Sequence, residues 1–236
     1  LSRGLGDVYK RQMYTRRMPE QFLFTKEKDS LFNVKVWMKL LVKKSTLYYG
    51  NKNRNRNLED TRMKIVIING SARKGNTLTA INAFIKGASE KNEIEIIEPD
   101  KLNIAPCKGC GVCQCSKGCV DKDDTNPTID KIAAADMILF ATPVYWWGMS
   151  AQLKLIIDKC YCRGLQLKNK KVGTIVVGGS PVDSIQYELI DKQFDCMAKY
   201  LSWDMLFKKS YYATARDELE KNKDSMNELE GIGKNL

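Results

Sequence analysis

From residue 64 onward the chain alternates two kinds of hydrophobic pattern. The runs "KIVIIN" (64–69), "DMILFATP" (136–143) and "KVGTIVVGG" (171–179) are continuously apolar and rich in β-branched residues, as expected of strands buried on both faces. "EIEIIE" (93–98) alternates polar and apolar positions, and "WDMLFKKSYYA" (203–213) reads as an edge strand. Between these runs lie segments whose apolar positions recur at helical spacing. They are "LTAINAFIKGASE" (78–90), "TIDKIAAA" (128–135), "MSAQLKLIIDKCYCRG" (149–164, closed by Gly164), "VDSIQYELIDKQFDCMAKYL" (182–201) and "ARDELEKNKDSMNELEGIGK" (215–234). Strands alternating with helices predict an α/β fold whose parallel sheet is covered on both faces. No internal repeat interrupts this pattern.

Residues 1–62 do not share it. They hold 15 Lys/Arg against 6 Asp/Glu, while the other 174 residues hold 24 against 22, so the net charge of +11 is concentrated at the N-terminus. "NKNRNRNLEDTR" (51–62) is polar and aperiodic, as linkers and disordered segments are. "LSRGLGDVYKRQ" (1–12) resembles translated adapter sequence, and Met63 opens the first strand as a start codon would. The expected division is a disordered or non-native basic segment, 1–62, and one domain, 63–236. A helical extension around residues 31–47 is the competing reading. A basic arm can bind polyanions, but the near-neutral remainder makes nucleic acid an unexpected partner. No apolar run approaches the roughly 20 residues of a membrane span, and no leader is visible, so the expected location is the cytoplasm.

"GSARKGNT" (70–77) joins the first strand to the first helix. Loops there lie at the carboxyl end of the sheet, where open α/β folds bind ligands. A helix N-terminus offers free N–H donors and a positive dipole end to phosphate. Gly70 and Gly75 allow tight turns, Ser71, Asn76 and Thr77 can donate hydrogen bonds, and Arg73 adds charge. The dinucleotide pattern G-x-G-x-x-G is absent. The triphosphatase pattern fails because Asn76 stands where lysine is required. A cradle for the phosphate of a mononucleotide such as FMN is the reading that survives, against a plain turn with a helix cap.

"TPVYWWG" (142–148) follows the strand at 136–141. Tyr145, Trp146 and Trp147 are suited to flank a flat ring, and the backbone of 143–146 can bond a ring's polar edge. Gly178 and Gly179, at a third strand end, allow close backbone approach.

"CKGCGVCQCSKGC" (107–119) places five of the eight cysteines in thirteen positions, in a chain without histidine. Every histidine-containing metal site is thereby excluded. Cys107, Cys110 and Cys113 form C-x2-C-x2-C, with Cys119 five residues beyond. One loop with such gaps can wrap the corners of a [4Fe–4S] cluster, whereas structural zinc more often uses two separated pairs. Cys115 is left over as a spare thiol. A zinc loop, an air-formed disulfide such as Cys113–Cys119, and a patch of free thiols remain open. Cys160, Cys162 and Cys196 fall on predicted helices and read as packing residues.

The stretches "MKIVIINGSARKGNT", "PCKGCGVC", "DD" at 123–124, "ADMILFATPVYWWGMSAQLKLIIDK" and "GIGK" resemble the NADPH-dependent FMN reductase family, in its multimeric flavodoxin and iron–sulfur flavoprotein branch. The resemblance runs from Met63 to the C-terminus. It implies a flavodoxin-like three-layer α/β/α sandwich with a five-stranded parallel sheet of order 2-1-3-4-5 and FMN at the switch point. Carried over by position, Ser71, Arg73, Asn76 and Thr77 bind the FMN phosphate. Pro143, Val144, Tyr145 and Trp146 border the isoalloxazine, with Gly178 and Gly179 nearby. The same cysteine spacing occurs in the iron–sulfur branch, which implies cluster ligation by Cys107, Cys110, Cys113 and Cys119. Asp158-Lys159 departs from the Asp-Arg that relatives often carry after the third helix.

The function implied is an FMN-dependent oxidoreductase or electron carrier that takes electrons from NAD(P)H and relays them singly through the cluster. Its partners are a small-molecule or protein redox partner and, in a homodimer or homotetramer, copies of itself. Rival readings are a flavin or quinone reductase with no cluster and a zinc-loop binding module with no flavin. No catalytic acid or base is assigned.

Overall fold

The computed structural model of the chain describes residues 62–115 and 118–236. The expectation made for residues 1–62 lies, but for Arg62, outside the described residues. The unit Thr61–Leu236 is built on a parallel sheet. Its strands are β1 (Lys64–Asn69), β2 (Glu93–Ile97), β3 (Met137–Tyr145), β4 (Gly148–Met149), β5 (Lys171–Gly178) and β6 (Asp204–Tyr212). The parallel order is β2-β1-β3-β5-β6, and β4 pairs antiparallel with the end of β3. Leaving out this two-residue addition, the order is the 2-1-3-4-5 expected from the resemblance.

The helices are α1 (Asn76–Ala88), α2 (Thr125–Ala134), α3 (Ala151–Lys159), α4 (Ile185–Leu201), α5 (Glu218–Lys221) and α6 (Lys223–Lys234). Side chains alternate across a strand, so each buried strand feeds two cores. Val66, Ile68, Ile138, Phe140, Val172 and Val176 pack with Ile129 and Ile132 of α2, Leu153 and Ile156 of α3, and Ile190 and Phe194 of α4. On the other face Ile65, Ile67, Met137, Leu139 and Ile175 pack with Ala80, Ile81 and Phe84 of α1, and with Leu219 and Leu229 of α5 and α6. Burying each large side chain of this kind is worth about 1.5–3 kcal/mol.

Two helix boundaries differ from the periodicity. The helix expected over 149–164 is regular only to Lys159 and continues as 3-10 turns over Cys160–Leu167, with Arg163 non-helical. The helix expected over 215–234 breaks at Asn222, which leaves helical geometry and accepts a bond from Ser225 N (3.1 Å) as the cap of α6. Pro143 stands in the central strand β3, where a missing N–H would ordinarily be costly. Pairing of β1 with β3 ends at Asn69–Ala141, so Pro143 pairs only with Val177 of β5. Among the described residues no helix is long and apolar enough to cross a membrane.

Candidate functional site

At the carboxyl end of β1 the chain is held tightly. Gly70 N donates to Ala141 O (2.7 Å), and Ser150 Oγ donates to Gly70 O (2.6 Å) while accepting from Leu153 N (3.2 Å). A Cβ at Gly70 would lie 2.8 Å from Ser150 Oγ and 2.9 Å from Ala141 O, so this glycine is required for packing. Ser71 closes a local turn, its hydroxyl accepting from Arg73 N (3.3 Å) and donating to Arg73 O (3.1 Å). Gly75 differs from the tight turn expected of it: its backbone is extended, and no side chain caps α1 there. The space around its Cβ position is open to 4 Å.

That open space belongs to a cavity of about 560 Å³ bounded by Ser71, Arg73, Lys74, Gly75, Asn76 and Thr77, by Pro143 and Val177, and by Ala213, Thr214, Ala215 and Arg216. Five of the residues expected to hold flavin thus meet on one cavity: Ser71, Arg73, Asn76, Thr77 and Pro143. Val144, Tyr145, Trp146, Gly178 and Gly179 lie outside its lining. Asn76 faces a second element. Its Nδ2 donates to Ala215 O (2.8 Å) and its Oδ1 accepts from Leu219 N (3.1 Å). The 213–216 wall was not legible as part of the site, because only the fold brings the end of β6 beside α1.

The aromatic segment is a hairpin. Tyr145 of β3 pairs with Gly148 of β4, leaving Trp146 and Trp147 as a two-residue turn. Both tryptophans have positive φ (48° and 60°), as the favoured two-residue turns demand, without the glycine that usually supplies it. Their rings meet edge to face at 5.4 Å, and Trp146 is 91% exposed. Gly178 is crowded by the protein itself, since a Cβ there would lie 2.7 Å from Tyr187 Oη and 2.8 Å from Val144 Cγ2.

The cysteine loop leaves β2 and is stapled back by acidic side chains. Asp123 accepts from Ala105 N and Thr125 N (2.9 Å each), and Asp124 from Asn103 N (2.8 Å). Asn126 grips Cys119 from both sides, accepting from its N–H (2.9 Å) and donating to its carbonyl (2.8 Å). Gly109 and Gly111 have φ of 65° and 71°, the left-handed turns that let the chain double back between the thiols. A Cβ at Gly118 would lie 2.4 Å from both the Arg163 and Asn126 side chains, which would have to shift to admit it.

Cys107, Cys110 and Cys115 are exposed, and Cys113 and Cys119 half-buried. Burial pushes the Cys113 thiol up, and Cys110, Cys107 and Cys119 add to the rise, so these four thiols share one neighbourhood. Cys162, expected only to pack, belongs to it as well: its thiol is raised by burial and by Cys119 and Cys113, against the opposing pull of Arg163. Thiols alone form a soft donor set suited to iron–sulfur clusters or zinc. Among the described residues no three cysteine or carboxylate side chains are gathered as a metal site.

Lys159 lies beneath this loop. Its side chain is 2% exposed, and its Nζ reaches Asp121 Oδ2 (2.8 Å) and Cys119 Sγ (3.7 Å). Burial works to lower its pKa, but Asp121 first and Cys119 next outweigh that, and the net shift is upward. Asp121 is held below the usual carboxylate range by Lys159 and then by Lys108.

A parallel sheet of this order, covered by helices on both faces, is flavodoxin-like. The sequence pattern of the NADPH-dependent FMN reductase family matches residues 63–197, and the chain belongs to that family. It is 39% identical over 123 residues to an iron–sulfur flavoprotein of Methanosarcina thermophila, covering 50% of this chain and 64% of that protein. It is 36% identical over 122 residues to an iron–sulfur flavoprotein of Methanocaldococcus jannaschii, covering 50% and 63%. The matches therefore span a little under two thirds of these relatives. Among solved structures, an NAD(P)H:quinone oxidoreductase of Methanothermobacter marburgensis superposes with a TM-score of 0.58 at 14% identity, covering 75% of this chain and 98% of its own. The Trp repressor binding protein of Bacillus subtilis gives 0.53 at 20% identity, covering 71% and 96%. These two likenesses concern the fold.

Proposed function

We propose that the chain is an FMN-dependent oxidoreductase that takes electrons from NAD(P)H. The observation that carries this reading is the uncapped N-terminus of α1, with Gly75 open to a cavity of about 560 Å³ at the carboxyl end of a flavodoxin-like sheet. The space beside Gly75 is one that any larger side chain would fill, which suits a phosphate laid against backbone N–H groups. Arg73 and Lys74 supply positive charge there, and Ser71 and Thr77 supply hydroxyls. Asn76 contributes by tethering the 215–219 segment as one wall. Pro143, Val144, Tyr145 and Trp146 border the isoalloxazine, with Gly178 and Gly179 nearby.

We propose further that Cys107, Cys110, Cys113 and Cys119 hold a [4Fe–4S] cluster. The reading rests on their spacing, their shared neighbourhood and the likeness to archaeal iron–sulfur flavoproteins. FMN when bound accepts a hydride and gives up electrons in pairs or singly, and a cluster when bound carries them singly. The chain's own part is to bind, orient and exclude water. Asp123, Asp124 and Asn126 hold the loop ends, and Lys159 places positive charge beside Cys119. The exposed Tyr145–Trp147 hairpin suits burial between copies of the chain, as a homodimer or homotetramer. A cluster-free flavin reductase is the second reading, favoured because among the described residues no three thiols or carboxylates are gathered as a metal site.

The deciding experiment is a visible absorption spectrum of protein purified without oxygen, with iron and acid-labile sulfide counted on the same sample and NADPH oxidation followed under added FMN. Flavin bands with about four iron and four sulfide per chain support both proposals. Flavin bands without iron leave the second reading. Protein that neither carries nor binds FMN overturns the flavin reading.

A further inference from the structure

The cavity has a wall that neither the loop after β1 nor the aromatic hairpin supplies. β6 ends at Tyr212, and the chain then passes through Thr214, Ala215 and Arg216, all of which line the cavity. This segment is rigidly built. The Glu218 carboxylate accepts three hydrogen bonds from it: Thr214 N (2.6 Å), Ala215 N (2.8 Å) and Thr214 Oγ1 (3.0 Å). Asn76, the first residue of α1, clamps it from the other side through Ala215 O and Leu219 N. The segment is thus registered on the helix terminus that faces the cavity. Arg216 itself is loosely engaged. Its Nε lies 3.7 Å from Asp217 Oδ2, both side chains are more than half exposed, and such a pair holds little.

The charge around the cavity asks for a further cation. A phosphate monoester carries about −1.5 to −2 at neutral pH. Arg73 and Lys74 stand on one segment of the lining, and among the described residues the other cation of the lining is Arg216. A guanidinium offers a planar fork that matches two phosphate oxygens at once, which an ammonium does not.

We infer that Arg216 is a phosphate ligand of the flavin site, brought to it by the Asn76 and Glu218 clamps, and that it selects FMN over unphosphorylated riboflavin. The inference rests on the FMN reading above. Arg73 and Lys74 draw the phosphate to the mouth of α1, and Arg216 closes on it from the 213–216 wall.

The test uses the full chain stripped of flavin, with FMN and riboflavin binding followed by quenching of flavin fluorescence. Arg216→Gln should weaken FMN about 10-fold or more, the scale of a lost charge-assisted hydrogen bond, and leave riboflavin within twofold. Arg216→Lys should restore part of the FMN affinity. Melting temperatures should stay level, since the side chain is 78% exposed. Unchanged FMN affinity overturns the assignment, as does equal weakening of both flavins, which would mean a disturbed wall. A variant that keeps its FMN affinity but binds NADPH more weakly also overturns it, placing the guanidinium on the nicotinamide nucleotide instead. Wild-type protein that binds neither flavin removes the FMN reading, a failure distinct from one confined to Arg216.

Discussion

Lys159 Nζ lies 2.8 Å from Asp121 Oδ2 and 3.7 Å from Cys119 Sγ, on a side chain that is 2% exposed. The last full turn of α3 therefore carries a buried charge into the floor of the cysteine loop. Removing one member of a buried pair leaves the other uncompensated, which costs more than the pair contributes.

Lys159→Met should accordingly lower the melting temperature by roughly 5–10 °C. Adding Asp121→Asn should recover part of the loss, because the carboxylate left with only the exposed Lys108 is then gone. Thermal unfolding of the two single variants and the double variant checks this. Strict additivity in that cycle would mean the two residues do not act as a pair.

α1 and α6 cross at two glycines. A Cβ at Gly87 would lie 2.0 Å from Glu230 O, and one at Gly233 would lie 2.3 Å from Phe84 O. These are backbone atoms and cannot swing aside. Gly87→Ala should destabilise by about 2 kcal/mol or more through overpacking. Gly231→Ala, in the same helix with nothing within 4 Å of its Cβ position, should stabilise by about 0.5–1 kcal/mol. Urea unfolding of both variants reads opposite signs, and equal signs would contradict the crossing.

Glu95 of β2 is bonded by Lys131 Nζ of α2 (2.6 Å) and lies 3.5 Å from Lys64 Nζ. The Lys131 bond leads in holding its carboxyl below the ordinary range, against a smaller opposing effect of burial. A carboxylate depressed in the folded state adds stability that is present above its unfolded pKa, about 4.3. That stability is lost as pH falls through the lower folded value. Glu95→Gln should be less stable than wild type at pH 7 by less than about 1 kcal/mol. The gap should close toward pH 3, and urea midpoints across that range test it.

The cysteines should differ in reactivity. Burial pushes the Cys160 thiol up to about 12, with Cys162 and Asp158 adding to it. Cys107, Cys110 and Cys115 are exposed. In protein stripped of iron, iodoacetamide at pH 8 should label these three first and Cys160 at least about 100-fold more slowly, since the thiolate is the nucleophile. Peptide mapping against time gives the order, and early labelling of Cys160 would refute it.

Much of the fold was legible because buried parallel strands need unbroken apolar runs, and each helix needs one apolar stripe. "KIVIIN" and "KVGTIVVGG" could serve little else. What escaped were features without periodicity. β4 is two residues long and follows two tryptophans in left-handed geometry, a turn for which Asn-Gly is the usual signal. The break at Asn222 depends on a side-chain cap within a run of good helix formers.

The phosphate loop was likewise legible from its place after β1, and the thiols from their spacing. Their surroundings were not. Lys159 appeared in the sequence only as a departure from the usual Asp-Arg, and the fold makes it the buried partner of Asp121. Asn76 reads as a donor for phosphate, yet its amide ties α1 to residues 139 and 143 positions further along the chain. The reason is that hydrophobic period and local spacing are properties of neighbours in sequence. They determined the class of fold, the order of its elements and the chemistry available to its loops. Which wall completes the cavity, and which charge lies under the cysteines, depends on long-range closure of the sheet. That closure sets the end of β6 beside the start of α1 and the end of α3 beneath the loop that follows β2, contacts that only the tertiary structure decides.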